Sequence, residues 1–199
     1  MKRAAWFGGV LAVLLCQLAY ASAAHTGGVH GRVTWQYSKF IEQRNMNGMP
    51  SSGLNIKALQ DKEYARKRGD AGAKIELIPV TFDKNSITED QERAWYRDNV
   101  PPPGKNIFFA PVNQDGYYEI YDVPAGDYML LIVSRKSKET YTYPEKRMLR
   151  YIRNWEYFDY FVLAGGEYSL RKITIQAGKT LTADRNFEYT VTYGYVGNE

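Results

Sequence analysis

Cysteine occurs once in the 199 residues, at Cys16, and histidine only twice, at His25 and His30. A single thiol excludes a disulfide scaffold. Charge of one sign is also scarce: 26 Lys and Arg against 22 Asp and Glu give +4 at pH 7, too small an excess to argue for nucleic-acid binding. Glycine and proline, 17 and 8 residues beside 44% hydrophobic residues, are too few for a collagen-like or disordered chain. With so little histidine, a Ser-His-Asp arrangement would have to recruit His25 or His30. The sequence holds no Walker loop, no G-x-S-x-G and no H-E-x-x-H. These shortages lead to the expectation of a protein that is not an enzyme and carries no cofactor. Carboxylate pairs of the glycosidase kind stay open, because spacing along the chain does not give distance in space.

The first two dozen residues read as an address label. Lys2 and Arg3 precede the uncharged run Val10 to Leu15, and small residues follow at Ala19, Ala21, Ser22, Ala23 and Ala24. That is the order of a secretory signal, with cleavage after Ala23 or Ala24. Residues 4–24 are also long enough to serve as an uncleaved anchor, although Gly8-Gly9 and the Ala/Ser tail weaken that reading. A lipoprotein signal at Cys16 would want a small residue where Leu15 stands. The expected mature chain, residues 25–199, is secreted or periplasmic, has no membrane insertion, and has no cysteine. Loss of Lys2 and Arg3 leaves 24 basic against 22 acidic side chains. A chain without disulfides has to be held by its core, and 175 residues suffice for that.

Alternation of apolar and polar residues dominates the remainder. Val29, Gly31, Val33 and Trp35 alternate with His30, Arg32 and Thr34, and Ala73, Ile75, Leu77 and Pro79 alternate with Lys74 and Glu76; both read as half-buried strands. Asn113-Gln114-Asp115-Gly116 predicts a hairpin between residues 107–112 and 117–121, since Asp-Gly supplies a positive φ. After the turn Val123-Pro124-Ala125-Gly126, the run Tyr128 to Val133 is apolar at every position, the pattern of a central strand covered on both faces. Further strands are expected at residues 157–163, 168–176 and 184–195. About eight strands in such a length predict an all-β sandwich.

Two stretches interrupt that rhythm and are expected to be insertions on one domain, at 38–72 and 81–105. The first begins with the Gly/Asn/Met/Pro/Ser loop 45–53 and continues into a charged segment, 56–68, of fair helix propensity. In the second, residues 86–98 predict a short helix in which Thr88 and Gln91 form a capping box, ended by Pro101-Pro102-Pro103-Gly104.

The stretch Asp115-Gly116-Tyr117-Tyr118-Glu119-Ile120-Tyr121-Asp122-Val123-Pro124-Ala125-Gly126-Asp127-Tyr128 resembles the signature of carboxypeptidase regulatory-like domains, a family of transthyretin-like β-sandwiches. His30-Gly31-Arg32-Val33 is similar to that family's first strand, Gly72-Ala73-Lys74-Ile75-Glu76-Leu77 to its second, and Ile173 to Thr180 to its closing strand and turn. Together these pieces cover about half of the mature chain. The resemblance implies a transthyretin/prealbumin-like sandwich of seven to eight strands with short helical insertions. It also implies a non-catalytic module that assists folding, adhesion or ligand binding. The 35 residues between the first two strands, and the long aromatic region 134–166, depart from the family pattern.

Residues 134–161 hold the richest candidate site. Arg135, Lys136, Lys138, Lys146, Arg147, Arg150 and Arg153 face four acids there, beside Tyr141, Tyr143, Tyr151, Trp155, Tyr157, Phe158, Tyr160 and Phe161. Met148, Ile152 and Trp155 recur at helical spacing, which would lay them on the sandwich and leave Arg147, Arg150 and Arg153 outside. Read as a binding surface, Arg150, Tyr151, Arg153, Trp155 and Tyr157 suit a glycan or an acidic protein; read structurally, the rings are core. Arg66-Lys67-Arg68 reads as a plain solvated face. If cleavage follows Ala24, His25 offers its amine and imidazole, with His30 nearby, a nitrogen-rich set that suits copper(II). The expected function is an interaction subunit whose partner is an envelope or extracellular protein. Glycan binding through 134–161 is the alternative, and copper binding the second alternative.

Overall fold

A computed structural model describes residues 25–44, 50–54, 56–138 and 144–193. The expected signal at 1–24 with Cys16, and Tyr141 and Tyr143, lie outside the described residues. In chain order the strands are β1 (Thr26–Arg44), β2 (Pro50–Leu54), β3 (Arg68–Gly69), β4 (Lys74–Pro79), β5 (Phe108–Pro111), β6 (Tyr117–Pro124), β7 (Gly126–Lys138), β8 (Gly166–Ile175), β9 (Thr180–Thr182) and β10 (Arg185–Tyr193). Helices are α1 (Ile56–Gln60), α2 (Glu89–Asp98) and α3 (Trp155–Phe158), the last running into a π-helical turn, Asp159–Leu163.

The strands form two sheets. In one, β1 is the spine: β6, β3 and β2 pair antiparallel along one edge of it, and β9 and β10 pair parallel along the other. The second sheet has the order β5-β4-β7-β8 and is antiparallel throughout. Val29 and Val33 of β1, Tyr118 and Ile120 of β6, and Phe187 of β10 meet Ile75 and Leu77 of β4 and Leu130 and Ile132 of β7 in a core between the sheets. The chain is therefore an all-β sandwich with short helices, as expected.

A second core lies on the other face of the β5-β4-β7-β8 sheet. There Met129, Leu131 and Val133 of β7 pack against Trp95 and Tyr96 of α2 and against Met148, Tyr151, Ile152, Phe158, Val162 and Leu163. The uninterrupted apolar run of β7 is thus used on both faces, alternate residues serving alternate cores. The 81–105 insertion and residues 148–163 together form this helical layer. Helix α2 starts as predicted, with Thr88 and Gln91 in a reciprocal capping box, and ends at Asn99, whose left-handed backbone (φ 54°) returns its N–H to Trp95 O.

Four expectations are corrected. Residues 157–163 are helical, not a strand: Asn154 caps the turn by accepting from Tyr157 N, and Phe158, Val162 and Leu163 then share one buried face. Strand β4 is not half-buried, because its second face lies under the helical layer; Glu76 and Ile78 are both fully buried. Part of the expected loop 45–53 is strand β2, which pairs with the far end of β1. The Asp-Gly turn forms, with Gly116 at φ 86°, and Asn113 Oδ1 accepts from Asp115 N and Tyr117 N. Yet it joins no hairpin, since β5 pairs with β4 in one sheet and β6 with β1 in the other.

This sheet-crossing turn sits directly on β3. A side-chain carbon at Gly69 would lie 2.2 Å from the Asp115 carbonyl carbon and 2.4 Å from Gly116 N. Neither backbone atom can yield without moving the turn. Gly69→Ala is expected to cost roughly 2 kcal/mol, measurable as a lower denaturant midpoint with an unchanged slope.

Candidate functional site

The structure separates the residues singled out in 134–161. Tyr151 is buried in the helical-layer core and offers no surface, because its position follows Met148 and Ile152 onto the sheet. Arg150 is exposed, its guanidinium 5.9 Å from the Tyr151 ring centre. Arg153 donates through Nε and Nη2 to Glu92 Oε2 (3.3 and 2.9 Å), and the same carboxylate accepts from Tyr96 Oη and Asn154 N. Arg153 is thus a clasp between α2 and the 148–163 segment rather than a free cation. Trp155 and Tyr157 are half-buried, packed on Phe158 and Phe161. Arg153, Trp155 and Tyr157 do border one shallow depression of about 660 Å³, with Arg150 outside it. Among the described rings of this segment only Tyr160 is largely exposed, at 75%.

Both histidines of the copper expectation lie on or beside β1. His30 Nε2 lies 2.9 Å from Thr182 Oγ1 across the β1–β9 pairing, and His25, beside the start of β1, accepts from Ala125 N through its carbonyl. Among the described residues no group of three or more His, Cys, Asp or Glu side chains is placed to hold a metal. Arg68 is not on a plain solvated face either: its guanidinium lies over the stacked Tyr37 and Tyr64 rings, 5.3 and 5.8 Å from their centres.

A second, larger depression of about 730 Å³ lies on the outer face of the β1 sheet. Alternation along β6 turns Tyr118 and Ile120 into the sandwich and leaves Tyr117, Glu119 and Tyr121 outside. Cross-strand register sets Arg32 beside Tyr117 and His30 beside Glu119; on the far side His30 faces Thr182. Three neighbouring strands therefore present three parallel columns: Tyr117, Glu119 and Tyr121; Gly28, His30 and Arg32; Thr180 and Thr182, with Asp184 just past the end of β9.

Each column is fixed by its neighbours. The pairing of β1 with β6 shifts between Gly27 and Val29, and Asp122 takes a left-handed backbone (φ 54°), a bulge that re-aims the adjoining side chain. The Tyr121 ring fills the space left by Gly28, its Cδ1 lying 3.3 Å from where a Gly28 side chain would begin. The Tyr121 hydroxyl donates to Glu119 Oε2 at 2.7 Å, and this bond to a carboxylate raises the tyrosine pKa. Arg32 donates through Nε to Asp115 O (2.9 Å), places its guanidinium 5.1 Å from the Tyr117 ring centre, and donates its backbone N–H to Asp184 Oδ1. Tyr117 and Tyr121 remain 52% and 56% exposed. The face thus offers two ring surfaces among preset donors and acceptors. In the sequence Tyr117, Glu119 and Tyr121 belong to an expected strand, 117–121, and to the stretch that resembles a family signature. Their period-two alternation with Tyr118 and Ile120 was the signal that could have marked them as a surface.

By its sheets and its helical cover the chain is a β-sandwich protein. No protein-family model matches it, and no curated protein matches it in sequence. Among solved structures it is similar to a Pseudomonas aeruginosa protein proposed to bind carbohydrate, at 12% identity over 85% of this chain and 95% of that one, with a TM-score of 0.37. It is also similar to the Bacillus anthracis TIE protein (12% identity, 83% of this chain and 17% of that one, TM-score 0.32). A third is a minor pilin of Streptococcus agalactiae (14% identity, 87% and 49%, TM-score 0.37). The chain spans nearly all of the first of these, about a sixth of the second and half of the third. Likeness this distant assigns no ligand.

Proposed function

We propose that this chain is an exported, non-catalytic binding module of the periplasm or extracellular space that meets a glycan or an envelope or extracellular protein through the outer face of its β1 sheet. One observation supports the reading above the rest: two half-exposed tyrosine rings of β6 stand beside a guanidinium, an imidazole, a threonine hydroxyl and a carboxylate on adjacent strands, with the Asp184 carboxylate just past the end of β9. Strands hold such groups more tightly than loops do, so little ordering is left to be done on binding. The leader-like residues 1–24 support export. The reading is non-catalytic because, among the described residues, no carboxylate is hydrogen-bonded to the His30 ring beside Thr182, and an activated hydroxyl requires that oriented third group.

The 134–161 surface is the weaker choice, since Tyr151 and Phe158 are core and Arg153 is committed to Glu92. Joint replacement of Arg32 and Tyr117 by Ala is expected to reduce capture of the wild-type partner, from envelope extract or immobilised polysaccharide, by at least about tenfold. Arg150→Ala should leave capture unchanged. Equal capture by all three proteins would remove the outer face from consideration.

A further inference from the structure

We infer that the outer-face site takes a neutral, extended carbohydrate chain running along β6, with the Tyr117 and Tyr121 rings as two separate stacking positions. This rests on the outer face being the binding site, as proposed above, and adds the class of ligand.

Geometry comes first. Tyr117 and Tyr121 are four residues apart on one strand face, about 13 Å along β6 at the usual rise, with Glu119 between them. A ligand touching both rings must be extended and must tolerate a polar group in the middle. A compact small molecule reaches one ring only. An apolar peptide segment would bury the Glu119 carboxylate and the His30 imidazole against hydrocarbon without new partners, which is costly. A sugar chain carries C–H faces for the rings and hydroxyls at every unit for Glu119, His30 and Thr182.

Charge decides between neutral and acidic glycans. Glu119 and Asp184 put two carboxylates on the face, and Arg32 is the cation that stands among them. Two carboxylates outnumber that one guanidinium, whose Nε already donates to the Asp115 carbonyl and which lies 5.1 Å from the Tyr117 ring centre, so an acidic sugar would meet net repulsion.

The ring at Tyr121 is pre-set. It lies over Gly28 on one side, is tethered at its hydroxyl by Glu119, and is more than half exposed. Rings fixed in this manner lose little freedom when a ligand stacks on them.

The test is binding of the chain from residue 25 onward to an array bearing both neutral and acidic oligosaccharides of increasing length. Retention by neutral chains that strengthens with length is expected. Tyr121→Ala should weaken it by at least about tenfold, Tyr121→Phe should keep most of it, and Tyr160→Ala should change nothing. Unaltered melting temperatures would establish that the variants fold, as replacement of exposed rings allows. No retention by any neutral chain, or retention by acidic chains alone, overturns the inference. If an envelope protein is then captured in a manner that depends on Arg32 and Tyr117, the outer face stands as the binding site and only the ligand class fails. Neutral glycan binding that survives Tyr121→Ala and Tyr117→Ala would instead overturn both.

Discussion

Glu76→Gln is expected to raise the melting temperature by roughly 6–12 °C at pH 8 and to leave it nearly unchanged at pH 4. Glu76 is fully buried under the helical layer, and burial, the main cause, pushes its pKa from 4.5 to about 7 against the smaller opposing effects of the Trp95 hydrogen bond and the Lys74 charge. Trp95 Nε1 donates to Oε2 at 3.2 Å, whereas Oε1 has no hydrogen-bond partner among the described residues. A carboxyl whose pKa is higher in the fold than in the unfolded chain holds its proton more tightly when folded. Stability from this group is therefore complete below about pH 4.5, falls as pH rises, and is gone a little above pH 7. The total loss is about 3 kcal/mol. Glutamine is neutral throughout, and its side-chain oxygen can still accept from Trp95. Melting curves of both proteins from pH 4 to pH 8 measure the difference. Parallel curves would mean that the Glu76 carboxyl has the same pKa in the folded and unfolded chain, which the burial argument does not permit.

Trp95→Ala is expected to cost about 4 kcal/mol and to lower the melting temperature by roughly 10 °C. Trp95 is wholly buried, lies 5.5 Å from the Phe82 ring and 4.9 Å from Tyr96, and supplies the donor to Glu76. Its removal leaves a cavity and an unpaired buried carboxyl together. The damage should fall first on the helical layer. Besides Trp95, that layer is held to the sheet by Lys74 Nζ donating to Phe161 O and to itself by the Glu92–Arg153 clasp. Limited proteolysis should accordingly cut the variant within 148–163 before it cuts the strands of the sandwich. An unchanged cleavage pattern would mean that the two cores melt as one unit and that the layer has no stability of its own to lose.

Much of the fold was legible because its signals are local. The alternation at Val29 to Trp35 identifies a strand with one core face whatever that face meets, and Thr88 and Gln91 cap α2 through bonds spanning three residues. The failures came where distant chain decides. Residues 157–163 are apolar and aromatic enough for a strand, and only the cap at Asn154 and the sheet face awaiting Phe158 and Val162 make them helical. Glu76 read as the solvent side of β4, although β7, apolar on both faces, already implied a cover that its neighbour would share. The candidate site shows the same division. Tyr151 and Tyr121 are equally aromatic in sequence, yet one lies beneath the helical layer and the other over Gly28, 3.3 Å from its missing side chain.

By itself the sequence determined the strand pattern, the capped helix, the dependence on a core in place of disulfides, and the shortage of histidine and cysteine that turns attention from catalysis to binding. Each follows from residue type or from spacing within a few positions. Tertiary structure alone decided that a second core covers the β5-β4-β7-β8 sheet, that the Asp-Gly turn carries the chain from one sheet to the other, and that Tyr117, Glu119, His30, Arg32 and Thr182 stand side by side. Those residues come from three strands up to about 150 positions apart in the chain. Their adjacency is a matter of strand register, which hydrogen bonding and burial set between segments and which no single segment contains.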